Sequence, residues 1–176
     1  AVTAERTLNN DLRTAKMTAV CEKLIIYALQ AYFANVPKKI LCTREFLSSI
    51  KTSTMADLKN IINRYNLNKY FIIKRDEILT NNLDPYKRTE FLFKGLSRDI
   101  ENIKSIPDID ICFVEEAETV KLSSWEVLIP TIRKENSQIF MCFNPISQES
   151  TTYKMFVKAP PRTKEIITKD NEKKTV

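Results

Sequence analysis

Two adjacent carboxylates, Glu115 and Glu116, carry the strongest chemical signal in this sequence. They close a short apolar run made of Ile109, Ile111, Cys112, Phe113 and Val114. Apolar runs of that length are typical of a strand buried on both faces of a parallel sheet. Such sheets carry their chemistry just beyond the carboxyl ends of their strands. Two acids delivered to that edge suit phosphoryl transfer, in the manner of a Walker B element: the first holds Mg2+ through its water shell, and the second polarises the water that attacks a γ-phosphate. The competing reading is a strand running into an acidic helix start, where the helix dipole favours carboxylates anyway. The segment alone leaves both readings open.

The elements that must position this pair can be read on either side of it. From Leu12 to Ala34 the apolar residues Val20, Leu24, Tyr27, Ala28, Ala31 and Tyr32 recur at helical spacing, which predicts a long amphipathic helix stopped at Asn35-Val36-Pro37. Ile40-Leu41-Cys42 reads as a short buried strand leading into Thr43-Arg44-Glu45, and a second helix is expected from Phe46 to Tyr65. Tyr70 to Ile73 and Glu77 to Thr80 read as two strands joined by the charged turn Lys74-Arg75-Asp76. After a loop containing Asp84-Pro85, another strand, Glu90 to Phe93, ends at Gly95-Leu96.

Beyond the acid pair, a helix is expected from Ser123 to Ile132, with Ser123 and Ser124 as capping residues. A further apolar strand, Ser137 to Phe143, ends at Asn144-Pro145, and residues 151–158 form a short helix. The charged tail from Arg162 onward is expected to be mobile at its end. Strands alternating with helices argue for an α/β domain whose sheet is mainly parallel, with the 70–93 meander as an antiparallel edge.

Composition narrows the chemistry. The chain of 176 residues contains no histidine, which removes the commonest general base and metal ligand. Cys21, Cys42, Cys112 and Cys142 are widely spaced in apolar surroundings and read as reduced core thiols, neither a metal site nor a disulfide framework. No apolar stretch approaches the roughly 20 residues of a membrane helix, and no signal peptide is evident. The net charge of +6 suits a nucleic-acid partner without requiring one. Gly95 is the only glycine, where average usage would give roughly a dozen. Few positions therefore offer the backbone freedom of a loop wrapped around phosphates.

Several pieces together are more specific than any one. They are K-K-I-L-C-T-R-E at 38–45, F-L-F-K-G-L at 91–96, I-E-N-I-K-S-I at 100–106 and D-I-C-F-V-E-E-A-E at 110–118. S-W-E-V-L-I-P-T-I-R-K at 124–134 and S-Q-I-F-M-C-F-N-P at 137–145 complete the series. In this order and spacing the chain resembles the ATPase domain of the large terminase subunit of tailed bacteriophages, over roughly residues 37–160. The resemblance implies a P-loop NTPase fold with ATP and Mg2+ as cofactors. Glu115 would match the acid that positions the metal, Glu116 the catalytic carboxylate, and Asn144 the residue that senses the γ-phosphate and couples hydrolysis to movement. Without that context, Asn144 is an Asn-Pro turn after a strand.

The family also implies double-stranded DNA as substrate, the portal protein and the small terminase subunit as partners, a ring homo-oligomer when active, and a place at the prohead in the host cytoplasm. Residues 1–36 would then hold a degenerate Walker A region and the first helix, 37–160 the ATPase core and 161–176 a charged tail, with the nuclease domain of full-length large terminases absent.

Here the sequence departs from the family. The motif G-x-x-x-x-G-K-[ST] needs glycines so that amides can wrap the phosphates. Aligning Lys16 with its lysine puts Asn10 and Ala15 at the glycines and Met17 at the Mg2+-binding hydroxyl, with Thr18 one residue away and Arg13 as a displaced counterpart of the usual arginine. Met17 cannot ligate a hard cation. Leu12 to Thr18 therefore reads better as a plain helix start than as a working phosphate loop, although Lys16, Thr18 and Arg13 remain the candidates for nucleotide contact. Arg44 and Arg133 are candidates for a charge-stabilising arginine, against the commoner role of pairing with a surface acid. Lys104-Ser105 is a weaker candidate for a phosphate contact, and Trp125 reads as core. The main competing reading is a terminase-like remnant that keeps the fold and its protein contacts but binds ATP weakly. A nucleic-acid-binding module has no dedicated motif behind it.

Overall fold

The structure is a computed structural model that describes the backbone of residues 2–46, 50, 53–144, 148–158, 165–167 and 173–175, and the side chains of 15–46, 50, 53–144 and 148–158. Helix α1 (Val2–Ala34) leads into strand β1 (Lys39–Arg44), helix α2 (Thr54–Arg64) and the strands β2 (Phe71–Ile73), β3 (Glu77–Thr80) and β4 (Glu90–Gly95). Helix α3 (Leu96–Lys104), strand β5 (Ile111–Val114), helix α4 (Leu122–Thr131), strand β6 (Gln138–Met141) and helix α5 (Thr151–Phe156) follow. Two short strands near the C-terminus, Glu165–Ile167 and Lys173–Thr175, pair antiparallel with each other.

Among the described residues, the main sheet has the order β2-β3-β4-β1-β5-β6. Strands β4, β1, β5 and β6 are parallel, while β2 and β3 extend the sheet antiparallel beyond β4. This is the mainly parallel α/β sheet with an antiparallel edge meander that the sequence implies. Strand β5 lies between β1 and β6 and is parallel to both, as the shared length and apolar character of the three runs predict. All four of its residues are buried. Their side chains alternate, as strand geometry requires: Ile111 and Phe113 join α1 and α2 in one core, while Cys112 and Val114 join α3 and α4 in the other. The sheet is thus the middle of three layers, and the residues that follow β5 are aimed by a strand anchored on both faces.

Several elements differ from the sequence reading. Helix α1 begins about ten residues before Leu12, because no glycine or proline interrupts the chain before Pro37. It ends where Asn35 takes a left-handed conformation and the Val36 amide closes on the Ala31 carbonyl. Of the helix expected over 46–65, the structure shows Thr54–Arg64, while residues 47–49, 51 and 52 lie outside the described ones. Helix α3 follows directly on Gly95, where the sequence reading placed only the end of a strand; Leu96 and Ile103 bury its inner side. Ser123 and Ser124 do not cap α4, because the helix already starts at Leu122 and the Ser124 hydroxyl donates to the buried Glu45 carboxylate at 3.2 Å. The tail beyond 158 is described only at its two short strands, so its expected mobility lies outside the described residues.

Candidate active site at the carboxyl edge of the sheet

The four parallel strands end at one edge, and the acid pair leaves β5 there. The Glu115 amide donates to the Thr43 carbonyl of β1 at 2.9 Å, and the Ala117 amide donates to the Cys142 carbonyl beyond β6 at 3.0 Å. Between these two fixed points the chain turns sharply, and Glu116 takes a left-handed conformation at φ 47°, ψ 47°. For a residue other than glycine this costs on the order of 1 kcal/mol. The turn gives the adjacent acids different surroundings.

Glu115 is buried at 3% exposure. Its Oε2 accepts hydrogen bonds from Ser53 Oγ at 2.6 Å and Thr54 Oγ1 at 2.7 Å, at the first turn of α2. Ser53 sits at the N-cap position of that helix without making a side-chain cap bond, its hydroxyl being directed to Glu115. The carboxylate thus stands at the positive end of the helix dipole. On its other side Arg44, the last residue of β1, brings Nη1 to 3.7 Å from Glu115 Oε1, and Arg44 Nη2 donates to Glu116 Oε2. One guanidinium therefore bridges both acids.

The field of Glu115 reaches further. Burial first, and Glu115 second, push the Asp57 carboxyl above the usual carboxylate range. Burial, then Asp57 and Glu115, push the Cys21 thiol up to about 12. Burial also raises Cys42 and Cys112, so these three are neutral core thiols near pH 7.

Asn144 lies half-buried three residues beyond β6, on the same edge as the acid pair. The Cys142 amide donates to the Val114 carbonyl at 3.0 Å, so this segment is stitched to both sides of Glu115 and Glu116. Arg44 joins the pair. Arg133 does not: it follows α4, and its neighbour Lys134 reaches Asp110 at the amino end of β5, so Arg133 belongs to the opposite edge. Lys104 pairs with Glu101, and Trp125 is fully buried.

Residues 10–18 lie inside α1, where amides are spent on carbonyls four residues back. They form no loop around an anion. Met17 is buried in the core, Lys16 is exposed and Thr18 half-buried, while the side chain of Arg13 lies outside the described residues.

Three contributors escaped the sequence reading. Ser53 and Thr54 were findable as hydroxyls at a helix start following a strand of the same edge. The third had no local signal: Trp125 Nε1 donates to Thr152 Oγ1 at 2.9 Å, and Thr152 Oγ1 donates to the Ala117 carbonyl, tying α5 to the turn behind Glu116.

A family model described as phage terminase large subunit matches residues 11–175. The chain belongs to that family. Its terminase fold is shared with the large terminase of a thermophilic bacteriophage, with a TM-score of 0.58 at 11% identity over 69% of this chain and 30% of that one. Another crystal form of the same phage's terminase, in complex with ADP, gives a TM-score of 0.53 at 10% identity over 69% and 29% of the two chains. This terminase chain therefore spans about 30% of the length of those solved structures. No curated protein matches it. Among the described residues of this family member, no helix is long and apolar enough to cross a membrane.

Proposed function

We propose that the carboxyl edge of this sheet is the Mg2+–ATP site of a DNA-packaging motor. The observation that carries this is the acid pair itself: in a terminase-family chain, a strand buried on both faces delivers two carboxylates to the edge, one fixed and one on a strained turn. The donor set fits a hard cation. Two carboxylates and two hydroxyls are all oxygen, and Mg2+ usually takes one or two carboxylates, completing its shell with water and phosphate. Glu115 would hold the ion, which supplies charge neutralisation for the phosphate oxygens.

Glu116 orients and polarises the attacking water, Arg44 neutralises charge that builds on the phosphates, and Asn144 senses the end of the polyphosphate. The phage relative in complex with ADP supports a nucleotide at this fold. The motor would move double-stranded DNA into the prohead as a ring in the host cytoplasm, working with the portal protein and the small terminase subunit. Arg133 lies at the other edge of the sheet, away from this acid pair.

Phosphate release from ATP and Mg2+ tests the site. Glu116→Gln should abolish turnover and leave Mg2+–ATP binding nearly intact, since the amide keeps the shape but cannot polarise water. An unchanged rate would show that the pair is only a capping cluster.

A second reading, a catalytically impaired terminase-like chain, is favoured by one observation: residues 10–18 are helical and lend no amides to a phosphate. It predicts weak nucleotide binding, measurable with a fluorescent ATP analogue and Mg2+. Sub-micromolar affinity would rule it out and restore Lys16, Thr18 and Arg13 as contacts.

A further inference from the structure

The acid pair as folded is already engaged on the side a metal would take. Oε2 of Glu115 takes two hydroxyl donors, and its Oε1 faces the guanidinium that also binds Glu116. The three charged side chains are only 4%, 14% and 18% exposed, so water screens them little. A Mg2+ shell demands ligands at about 2.0–2.1 Å in near-octahedral order, and a second cation beside the guanidinium would be repelled at short range. Arg44 and a divalent ion therefore exclude each other.

We propose that Arg44 is a resident counter-cation that keeps the acid pair closed, and that a polyphosphate opens it by drawing the guanidinium away so that a divalent ion can enter. The inference rests on the reading of this edge as the metal–nucleotide site. A guanidinium is suited to the exchange, because its planar fork binds carboxylate and phosphate equally well on a long, flexible stem.

The only glycine of the chain supports it. Gly95 is the β4 residue in register with Arg44, and parallel partners in register point to the same face. Its φ of −91° and ψ of 132° are open to any residue, so the backbone does not require glycine there. What glycine gives at that position is the absence of a Cβ beside the arginine, which leaves the side chain room to turn.

The test uses Mn2+ alone as the probe, with free ion counted by electron paramagnetic resonance. Arg44→Gln should bind Mn2+ at least tenfold more tightly than the wild type, with Arg44→Lys close to wild type. Equal affinity in wild type and Arg44→Gln overturns the proposal while leaving the metal site standing. No binding by any of the three overturns both. Because Arg44→Gln leaves two buried acids without their cation, a wild-type measurement accompanies it: the Arg44 Nε–Hε resonance is followed while inorganic pyrophosphate is added. The resonance should shift and lose its ion-paired position, and a resonance that stays in place through saturating pyrophosphate contradicts the exchange.

Discussion

Strand β5 carries acids at both of its ends, and the two ends are built on opposite charge balances. Before the strand, one carboxylate, Asp110, meets two lysines, Lys134 at 2.7 Å and Lys38 at 3.7 Å, and also accepts the Lys39 amide at 2.9 Å. Both lysine side chains are 36% exposed. After the strand, two carboxylates share the Arg44 guanidinium, and all three are more deeply buried than those lysines. An acid with surplus cations near water is a fastener: it joins β5, β1 and the segment before β6, and asks nothing more of its surroundings. Two acids around one guanidinium, beside a helix N-terminus and on a strained turn, are suited to trading that cation for a divalent one. The residue types at the two ends are alike; what differs is the charge balance and the burial of the cations.

The largest expected effect breaks the carboxyl end. Arg44→Ala should lower stability by about 3 kcal/mol in chelator, because it takes the guanidinium from two mostly buried carboxylates. At the amino end Lys134→Ala should lower it by at most about 1 kcal/mol, since Asp110 keeps the Lys38 ammonium and the Lys39 amide and the lysine it loses is 36% exposed. Urea unfolding of both variants checks the contrast, and equal losses would erase the distinction between the two ends.

The next effect concerns the hydroxyls. Thr54→Val keeps the shape but removes a bond to a buried carboxylate, so a loss of about 2 kcal/mol is expected in the same assay. A neutral result would mean that Ser53 alone satisfies Glu115.

The smallest effect is electrostatic and depends on pH. Asp57 has its pKa raised, by burial and then by Glu115. A carboxyl raised in the folded state adds stability below its unfolded value, and that contribution is lost as pH rises through the folded value. Asp57→Asn should therefore gain on the wild type in melting temperature as pH climbs from below 3.8 through the mildly acidic range. A difference that stays flat with pH would contradict the raised Asp57 carboxyl.

Much of the carboxyl edge was legible in the sequence, for reasons tied to particular residues. Apolar runs at 40–42 and 109–114 read as buried strands, and a buried strand announces what leaves its end. The left-handed turn at Glu116 was not legible, because no glycine or asparagine marks it. The bonds of Ser53 and Thr54 to Glu115 span 62 and 61 residues and depend on tertiary packing that periodicity does not encode. Helix α3 was missed because Gly95 reads as the end of a strand, and the charged residues that follow hide the Leu96, Ile100, Ile103 spacing. Arg133 could have been placed correctly. The helix of a parallel crossover returns the chain to the amino edge before the next strand begins, so a residue after α4 cannot share an edge with Glu116.

The proposed site puts metal and nucleotide at the carboxyl end of β5 and not at its amino end. Paramagnetic broadening by Mn2+ in the presence of ATP, read on the backbone amides of the 15N-labelled chain, tests it most directly. Signals of Arg44, Thr54, Glu115, Glu116 and Asn144 are expected to disappear first while those of Lys38, Asp110 and Lys134 persist. Broadening that begins at Lys38, Asp110 and Lys134, or that leaves Glu115 and Glu116 sharp while the ion is bound, would contradict it.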